Sequence, residues 1–292
     1  MKLVSYVADG TERVGVLDAT DIVFQIDGDP GGGGLVGVIE HILRHGPDSV
    51  RTRPEPAPAS ALAITAPVPR PARNIFCVGK NYRAHVGELS RSGYGFGPAD
   101  AEEPPGGPTF FTKPASSVIG PGEPIDDHSG LTSALDYEAE LAVIIGPGGR
   151  SISTARAWEH VWGYTLINDV TARDIQRDRG QWFLGKSLDT FCPMGPWAVG
   201  RDELNLADVT LECWVNGEQR QSAGIKELIF DIPTLIADLS AGVTLRTGDI
   251  IATGTPSGVG LGFDPPRFLV PGDLVRVTAT GLGVLENRVG RG

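Results

Sequence analysis

Glu138 and Glu140 stand two residues apart in the run DYEAELAVII. Alternation along an extended chain sends both carboxylates to one face while Tyr137, Ala139 and Leu141 take the other. On an exposed edge strand such a pair is a solvated face. The residues that follow, LAVII, are apolar on both faces as in a buried strand, and two buried like charges about 7 Å apart need protonation or a cation. Asp169 ends a second apolar run, VWGYTLIND, where it either caps a short helix beginning near Thr171 or reaches a cleft as a third ligand. Three carboxylates without His or Cys make a hard-oxygen site, suited to Mg2+, Mn2+ or Ca2+ and poorly suited to Zn2+ or Cu2+.

A second group lies in KNYRAHVGEL, whose helical spacing puts His85 and Glu88 three residues apart on one face. A carboxylate beside an imidazole orients the ring and raises its basicity, as a general base requires; a bland surface pair has the same spacing. Lys186, in QWFLGKSLDTF, sits among apolar neighbours where an ammonium stabilises an anion or binds a carboxylate, unless it is merely structural or exposed. The loop TGTPSGVGLG offers backbone N–H groups and the hydroxyls of Thr253, Thr255 and Ser257 as a cradle for oxyanions. It lacks the G-K-[ST] ending of a nucleotide-binding loop. Asp126, Asp127 and His128 form another possible ligand cluster, more simply read as a polar loop.

These residues need elements to hold them. The strands KLVSYV, ERVGVL and DIVFQI, followed by an apolar helical stripe at Leu35, Val38, Ile39, Ile42 and Leu43, predict a small α+β module. Seven prolines between residues 46 and 73 favour extended chain and place a domain boundary near residue 70, giving modules 1–70 and 71–292. Beyond Asn74 short strands alternate with Gly-rich turns, so the fold class expected is α+β and β-rich. Asn216-Gly217 predicts a two-residue hairpin turn, and Asp231 followed by Pro233 predicts a capped helix running to Gly242. Residues 91 to 107, rich in Gly and Pro, suit a mobile flap.

Composition narrows the function. A net charge of −11 without a Lys/Arg cluster argues against nucleic acid as a partner. No run approaches the roughly 20 apolar residues that span a bilayer, and MKLVSYVADG lacks a signal-peptide pattern, so a cytoplasmic protein free of membrane contact is expected. Cys77, Cys192 and Cys213 show no C-x-x-C spacing and read as buried thiols.

Taken in order, CVGKNYRAHVGE, FFTKPASSVIGP, LDYEAELAVIIG, GYTLINDVTARDIQ, FLGKSLDTFCPMGPW and TGTPSGVG resemble the fumarylacetoacetate hydrolase superfamily over about residues 70 to 290. The resemblance implies a mixed β-sheet roll preceded by a small N-terminal α+β domain, usually as a homodimer. It implies metal ligands at Glu138, Glu140 and Asp169, a lid-helix His and Glu at His85 and Glu88, an active-site Lys at Lys186, and further contacts at Gln176 and Thr255. Arg173 and Asp174 look structural. Lys113, Arg177 and Arg179 are candidate pocket residues. No upstream Asp in an R-x-x-Y-x-D setting is present, which brings the chain nearer the acylpyruvate hydrolase and sugar-acid branch. The activity implied is metal-dependent hydrolysis of a C–C bond in an acylpyruvate or related 2-oxo or 1,3-dicarbonyl acid. The alternative is decarboxylation, tautomerisation or lyase chemistry through an enolate.

Overall fold

The strand Ala139–Ile145 is buried along its whole length, each residue at 1% exposure or less. Its alternation separates two cores. Ala139, Leu141, Val143 and Ile145 join Leu211, Cys213, Val275, Val277 and the helical Leu235 and Ile236. Ala142 and Ile144 join Ile75, Cys77, Ile250 and the helical Leu35, Val38 and Ile39. Each fully buried aliphatic side chain contributes about 1.5–3 kcal/mol, so a strand packed on both faces is strongly held in register. Glu138 and Glu140 continue the face of Ala142 and Ile144, and so emerge at its end beside that second core.

The computed structural model describes residues 1–91 and 106–290. The flap expected at 91 to 107 falls almost wholly outside the described residues. The buried strand lies within a long sheet ordered Thr52–Pro58, Ile22–Ile26, Thr11–Leu17, Lys2–Ala8, Cys192–Gly200, Val161–Asn168, Ala139–Ile145, Ile250–Ala252, Ile75–Gly79 and Thr109–Lys113. Its neighbours are antiparallel except Ile250–Ala252 with Ile75–Gly79, so the sheet is mixed. A four-stranded sheet, Glu218–Gly224, Thr210–Val215, Leu274–Ala279 and Gly283–Arg288, packs across the first core. The fold is thus strand-rich α+β, as the short-strand pattern predicts.

Residues 1–70 join this architecture through their backbone: Lys2 pairs with Val199 and Leu3 with Ala198, so the N-terminal strands extend the main sheet. The proline-rich segment supplies its exposed edge strand, Thr52–Pro58, a position where missing N–H groups cost least. The predicted helices are present at Gly34–His45 and Ile232–Gly242, the latter capped by Asp231 accepting from the Thr234 amide at 2.9 Å. Asn216 and Gly217 both have positive φ, 52° and 82°, as the predicted hairpin turn demands. One expectation needs correction. DYEAELAVII is not one continuous strand: Leu135–Asp136 pairs instead with Thr171–Ala172, and Tyr137 and Glu138 lie in the gap before Ala139. Asn168 Oδ1 accepts the Glu138 amide at 3.0 Å, and Glu138 O accepts the Asp169 amide at 2.8 Å, so the break is hydrogen-bonded to the adjacent strand.

Candidate active site

The break in the strand brings three carboxylates together. Oxygen atoms of Glu138, Glu140 and Asp169 lie within 4.8 Å of one another, and all three residues are buried. Asp169 does not cap the following helix: Ala172 occupies that position without a side-chain cap, and helix Arg173–Asp178 follows. The Asp169 side chain instead accepts from Lys113 Nζ at 2.6 Å and Lys186 Nζ at 2.8 Å.

Lys186 also donates to Glu138 Oε2 at 2.7 Å, and Arg173 pairs with Glu138 Oε1 at 2.7 Å. Burial alone would raise the Glu138 carboxyl, but Lys186 and Arg173 overcome it and hold the group well below the usual carboxylate range. Burial works against the Lys186 ammonium as well, and Asp169 and Glu138 outweigh it, so the side chain stays charged. Glu140 differs. Its Oε2 accepts the Gly254 amide at 2.9 Å, and burial together with Asp169 and Glu138 pushes its carboxyl well above the ordinary value. Lys113, Lys186 and Arg173 therefore serve Asp169 and Glu138, leaving Glu140 undercompensated. A hard divalent cation fits this donor set, because it would relieve that imbalance with oxygen ligands alone.

The helix Arg83–Arg91 places His85 Nδ1 2.9 Å from Glu88 Oε2, with both side chains buried. The pair is thus no surface coincidence. Glu88 Oε1 accepts the Gly258 amide at 2.8 Å, tying this helix to the TGTPSGVGLG loop. That loop was expected to offer its amides as an oxyanion cradle, and four of them are in fact spent on the protein's own carboxylates. Gly254 serves Glu140, Gly258 serves Glu88, and Gly260 and Leu261 serve Asp136 at 2.6 and 3.1 Å. Gly254 has φ 101°, and a Cβ there would meet the Asn81 side chain at 2.8 Å, so glycine is required for this approach.

A cavity of about 30 Å³ is lined by His85, Glu138, Glu140, Lys186, Gln176 and Thr255, with Arg173, Phe111 and Trp182 among the other walls. Of the site residues expected from the sequence, His85, Glu138, Glu140, Lys186, Gln176 and Thr255 line this cavity, Asp169 and Glu88 stand behind Lys186 and His85, and Lys113, Arg177 and Arg179 are not among its walls. Lys113, taken as a substrate contact, is fully buried behind Asp169, and its ammonium is committed to Asp169, the Val170 carbonyl at 3.0 Å and the Lys186 carbonyl. With three hydrogens and three acceptors it has no donor left for a ligand, and it acts as a support for Asp169. Arg173 is structural, as expected, in pairing with Asp136 at 2.8 Å, yet it also faces the cavity. Asp126, Asp127 and His128 form a polar loop, with Asp126 Oδ1 accepting the His128 amide and His128 Nε2 3.0 Å from the Asp189 carbonyl.

Sequence reasoning missed Asp136 and Gln221. Asp136 is fully buried and anchors both Arg173 and the Gly260–Leu261 amides; its place two residues before Glu138 was the one available signal. Gln221, in the four-stranded sheet, accepts the Ala139 amide and donates to Thr255, and nothing in its local sequence marks it. A larger cavity of about 550 Å³ opens in the N-terminal module around Gly28–Gly34 and Pro67–Arg70, and none of its charged residues, Glu12, Arg13, Asp29, Glu40 and Arg70, is buried; Arg70 pairs with Glu12.

The strand-rich fold thus encloses a buried carboxylate cluster suited to a hard cation. The family model described as fumarylacetoacetate (FAA) hydrolase C-terminal matches residues 74–290, and the chain belongs to that family. Its members generally depend on a divalent metal. The chain is 50% identical over 226 residues to oxaloacetate tautomerase YisK of Bacillus subtilis, covering 77% of this chain and 72% of the relative. A fumarylacetoacetate hydrolase from Exiguobacterium antarcticum has the same fold at TM-score 0.83 and 41% identity, with both chains covered entirely. A 5-carboxymethyl-2-hydroxymuconate delta-isomerase from Mycobacterium smegmatis matches at TM-score 0.77 and 34% identity, again over the whole of both chains. No helix among the described residues is long and apolar enough to cross a membrane.

Proposed function

We propose that the chain catalyses proton transfer on a small 2-oxo dicarboxylic acid, interconverting its keto and enol forms. The observation that carries this reading is the convergence of the Glu138–Glu140–Asp169 centre, the Lys186 ammonium and the His85–Glu88 pair on one small cavity. The 50% identical relative named as an oxaloacetate tautomerase supports the choice of reaction.

A divalent ion on Glu138, Glu140 and Asp169, Mg2+ or Mn2+ in this reading, supplies Lewis acidity and a template for a 2-oxo acid. The protein's own groups do the rest. Glu88 holds His85 through Nδ1, leaving Nε2 to take the proton from the carbon beside the carbonyl and return it to the oxygen. Lys186, at 2% exposure, stabilises the negative charge that develops between those two transfers, and burial strengthens that interaction. Arg173, Gln176 and Thr255 line the cavity where substrate carboxylates would bind.

Hydrolysis of an acylpyruvate is the second reading, favoured by the same His85–Glu88 pair, which is equally built to deprotonate water. Residues 71–292 form the catalytic unit in either reading, residues 1–70 an accessory one, and a homodimer is the assembly to test by sedimentation.

The deciding experiment follows the ultraviolet absorbance of enolised oxaloacetate and of a panel of acylpyruvates with protein and Mg2+, with and without EDTA. Faster enol loss from oxaloacetate, suppressed by EDTA and without C–C cleavage products, supports tautomerisation. Stoichiometric pyruvate from an acylpyruvate moves the conclusion to hydrolysis. No change with any of these acids sinks both readings.

A further inference from the structure

Thr255 is the hydroxyl among the cavity-lining residues, and what it offers a ligand depends on which way its proton points. A hydroxyl can donate once and accept twice, so a neighbour that only donates to it leaves its proton free for someone else. Gln221 is that neighbour. Its amide orientation is settled by two backbone groups of opposite kind: Oε1 accepts the Ala139 amide at 3.0 Å, and Nε2 donates to the Pro256 carbonyl at 2.7 Å. Neither contact survives a flip of the amide, since that would face N–H against N–H and oxygen against oxygen. The second Nε2 hydrogen therefore goes to Thr255 Oγ1, at 2.8 Å. Among the described residues no acceptor takes the Thr255 proton.

The contact exists because the loop comes very close to the strand Glu218–Gly224. Gly258 has φ 103°, and a Cβ there would lie 1.9 Å from the Arg220 carbonyl. Gln221 itself is 1% exposed and reaches the site from the four-stranded sheet, so one buried amide joins the Glu138–Glu140 strand, the loop and the second sheet.

The geometry points to Gln221 as a positioning residue that occupies one lone pair of Thr255 and leaves the hydroxyl proton for an anionic oxygen, a carboxylate of a 2-oxo acid. This rests on the 2-oxo acid reading of the site and deepens it: the Thr255 proton is kept available for a charged acceptor on the ligand.

The test compares oxalate, a planar dianion, as the probe. Its affinity for Mg2+-loaded protein is measured by calorimetry, alongside kcat and KM for oxaloacetate enol loss. Gln221→Glu keeps an acceptor for Ala139 but replaces the donor with an oxygen, which draws the Thr255 proton away from the cavity. Oxalate binding is expected to weaken about 10- to 100-fold, the span of a hydrogen bond to a charged group, with KM rising more than kcat falls. Thr255→Val should weaken oxalate to a similar extent, and the double variant no further than the weaker-binding of the two. If Gln221→Glu does not fold, Thr255→Val still decides, because oxalate affinity equal to the wild type overturns the inference. Losses that add in the double variant, or a Gln221→Glu protein that binds as the wild type does, overturn it too. Wild-type protein that neither binds oxalate nor acts on any 2-oxo acid sinks the functional reading, and the inference with it.

Discussion

Lys113 Nζ lies 2.6 Å from Asp169 Oδ1, with both side chains wholly excluded from solvent and 56 residues apart in the chain. The pair sits behind the three-carboxylate cluster, and Lys186 holds the other Asp169 oxygen from the cavity side. Asp169 is thus clamped between two ammonium groups, which hold its two carboxylate oxygens in place.

Removing the rear clamp should cost stability before it costs chemistry. Lys113→Met leaves a buried carboxylate half-compensated, and breaking one side of a buried pair costs about 3–5 kcal/mol. Urea denaturation should show that loss; an unchanged midpoint would mean that the pair is a bystander.

Glu138→Ala and Asp169→Ala should each abolish Mg2+ binding and turnover together, since each removes a ligand and strands Lys186 beside a smaller anionic cluster. Calorimetric titration with Mg2+ reads the first effect and enol loss the second. Activity retained in either variant refutes the ligand assignment.

Chelation should expose the mismatch at Glu140. Its folded value is raised above the ordinary 4.5 by burial and by Asp169 and Glu138, so in EDTA its contribution is fully present below pH 4.5 and is lost as pH rises towards the raised value. Glu138 runs the other way: its value is lowered by Lys186 and Arg173 against burial, so its contribution is present above 4.5 and is lost as pH falls. Glu140→Gln should therefore stabilise the EDTA-treated protein at pH 8 and weaken Mg2+ binding. Thermal unfolding with and without Mg2+ checks both; a Gln variant less stable than wild type in EDTA counts against the undercompensated carboxylate.

His85→Ala should lower kcat by about 10²- to 10⁴-fold, the range of a general acid–base group, with Mg2+ affinity little altered. A full rate in this variant combined with an inactive Lys186→Ala would shift the chemistry onto Lys186 and away from the dyad.

The dyad can also be disturbed from outside. A Cβ at Gly262 would fall 1.8 Å from Glu88 Oε1 and 2.3 Å from its Cδ, so Gly262→Ala must push Glu88 off His85 and off the Gly258 amide. A fall in kcat of about tenfold or more is expected with Mg2+ binding intact, in line with losing the group that orients a catalytic imidazole. Wild-type kinetics in Gly262→Ala would show that Glu88 relaxes without consequence.

Local periodicity carried much of this site. Glu138 and Glu140 share a face because side chains alternate along extended chain, and the apolar run after them told of a buried strand; both hold despite the break at Tyr137 and Glu138. His85 and Glu88 meet because residues three apart on a helix are neighbours, and Asn216-Gly217 and Asp231 mark a turn and a cap whose chemistry lies within four residues. The order of the six blocks identified the family, which no single spacing did.

What decides how those groups behave is long-range. Lys113 was legible as a cation but not as the partner of Asp169, and Gly258 supports Glu88 across 170 residues. Gln221 reaches Ala139 across 82 residues, and Asp136 reaches Gly260 across 124. Sequence by itself marked the Glu138–Glu140 and His85–Glu88 pairs as candidates, because type and short spacing are local properties. Only the tertiary structure decided which carboxylates are paired with cations, which lysine faces the cavity and which hydroxyl a buried amide holds, because burial and partner choice are set by segments that meet only when the sheets close.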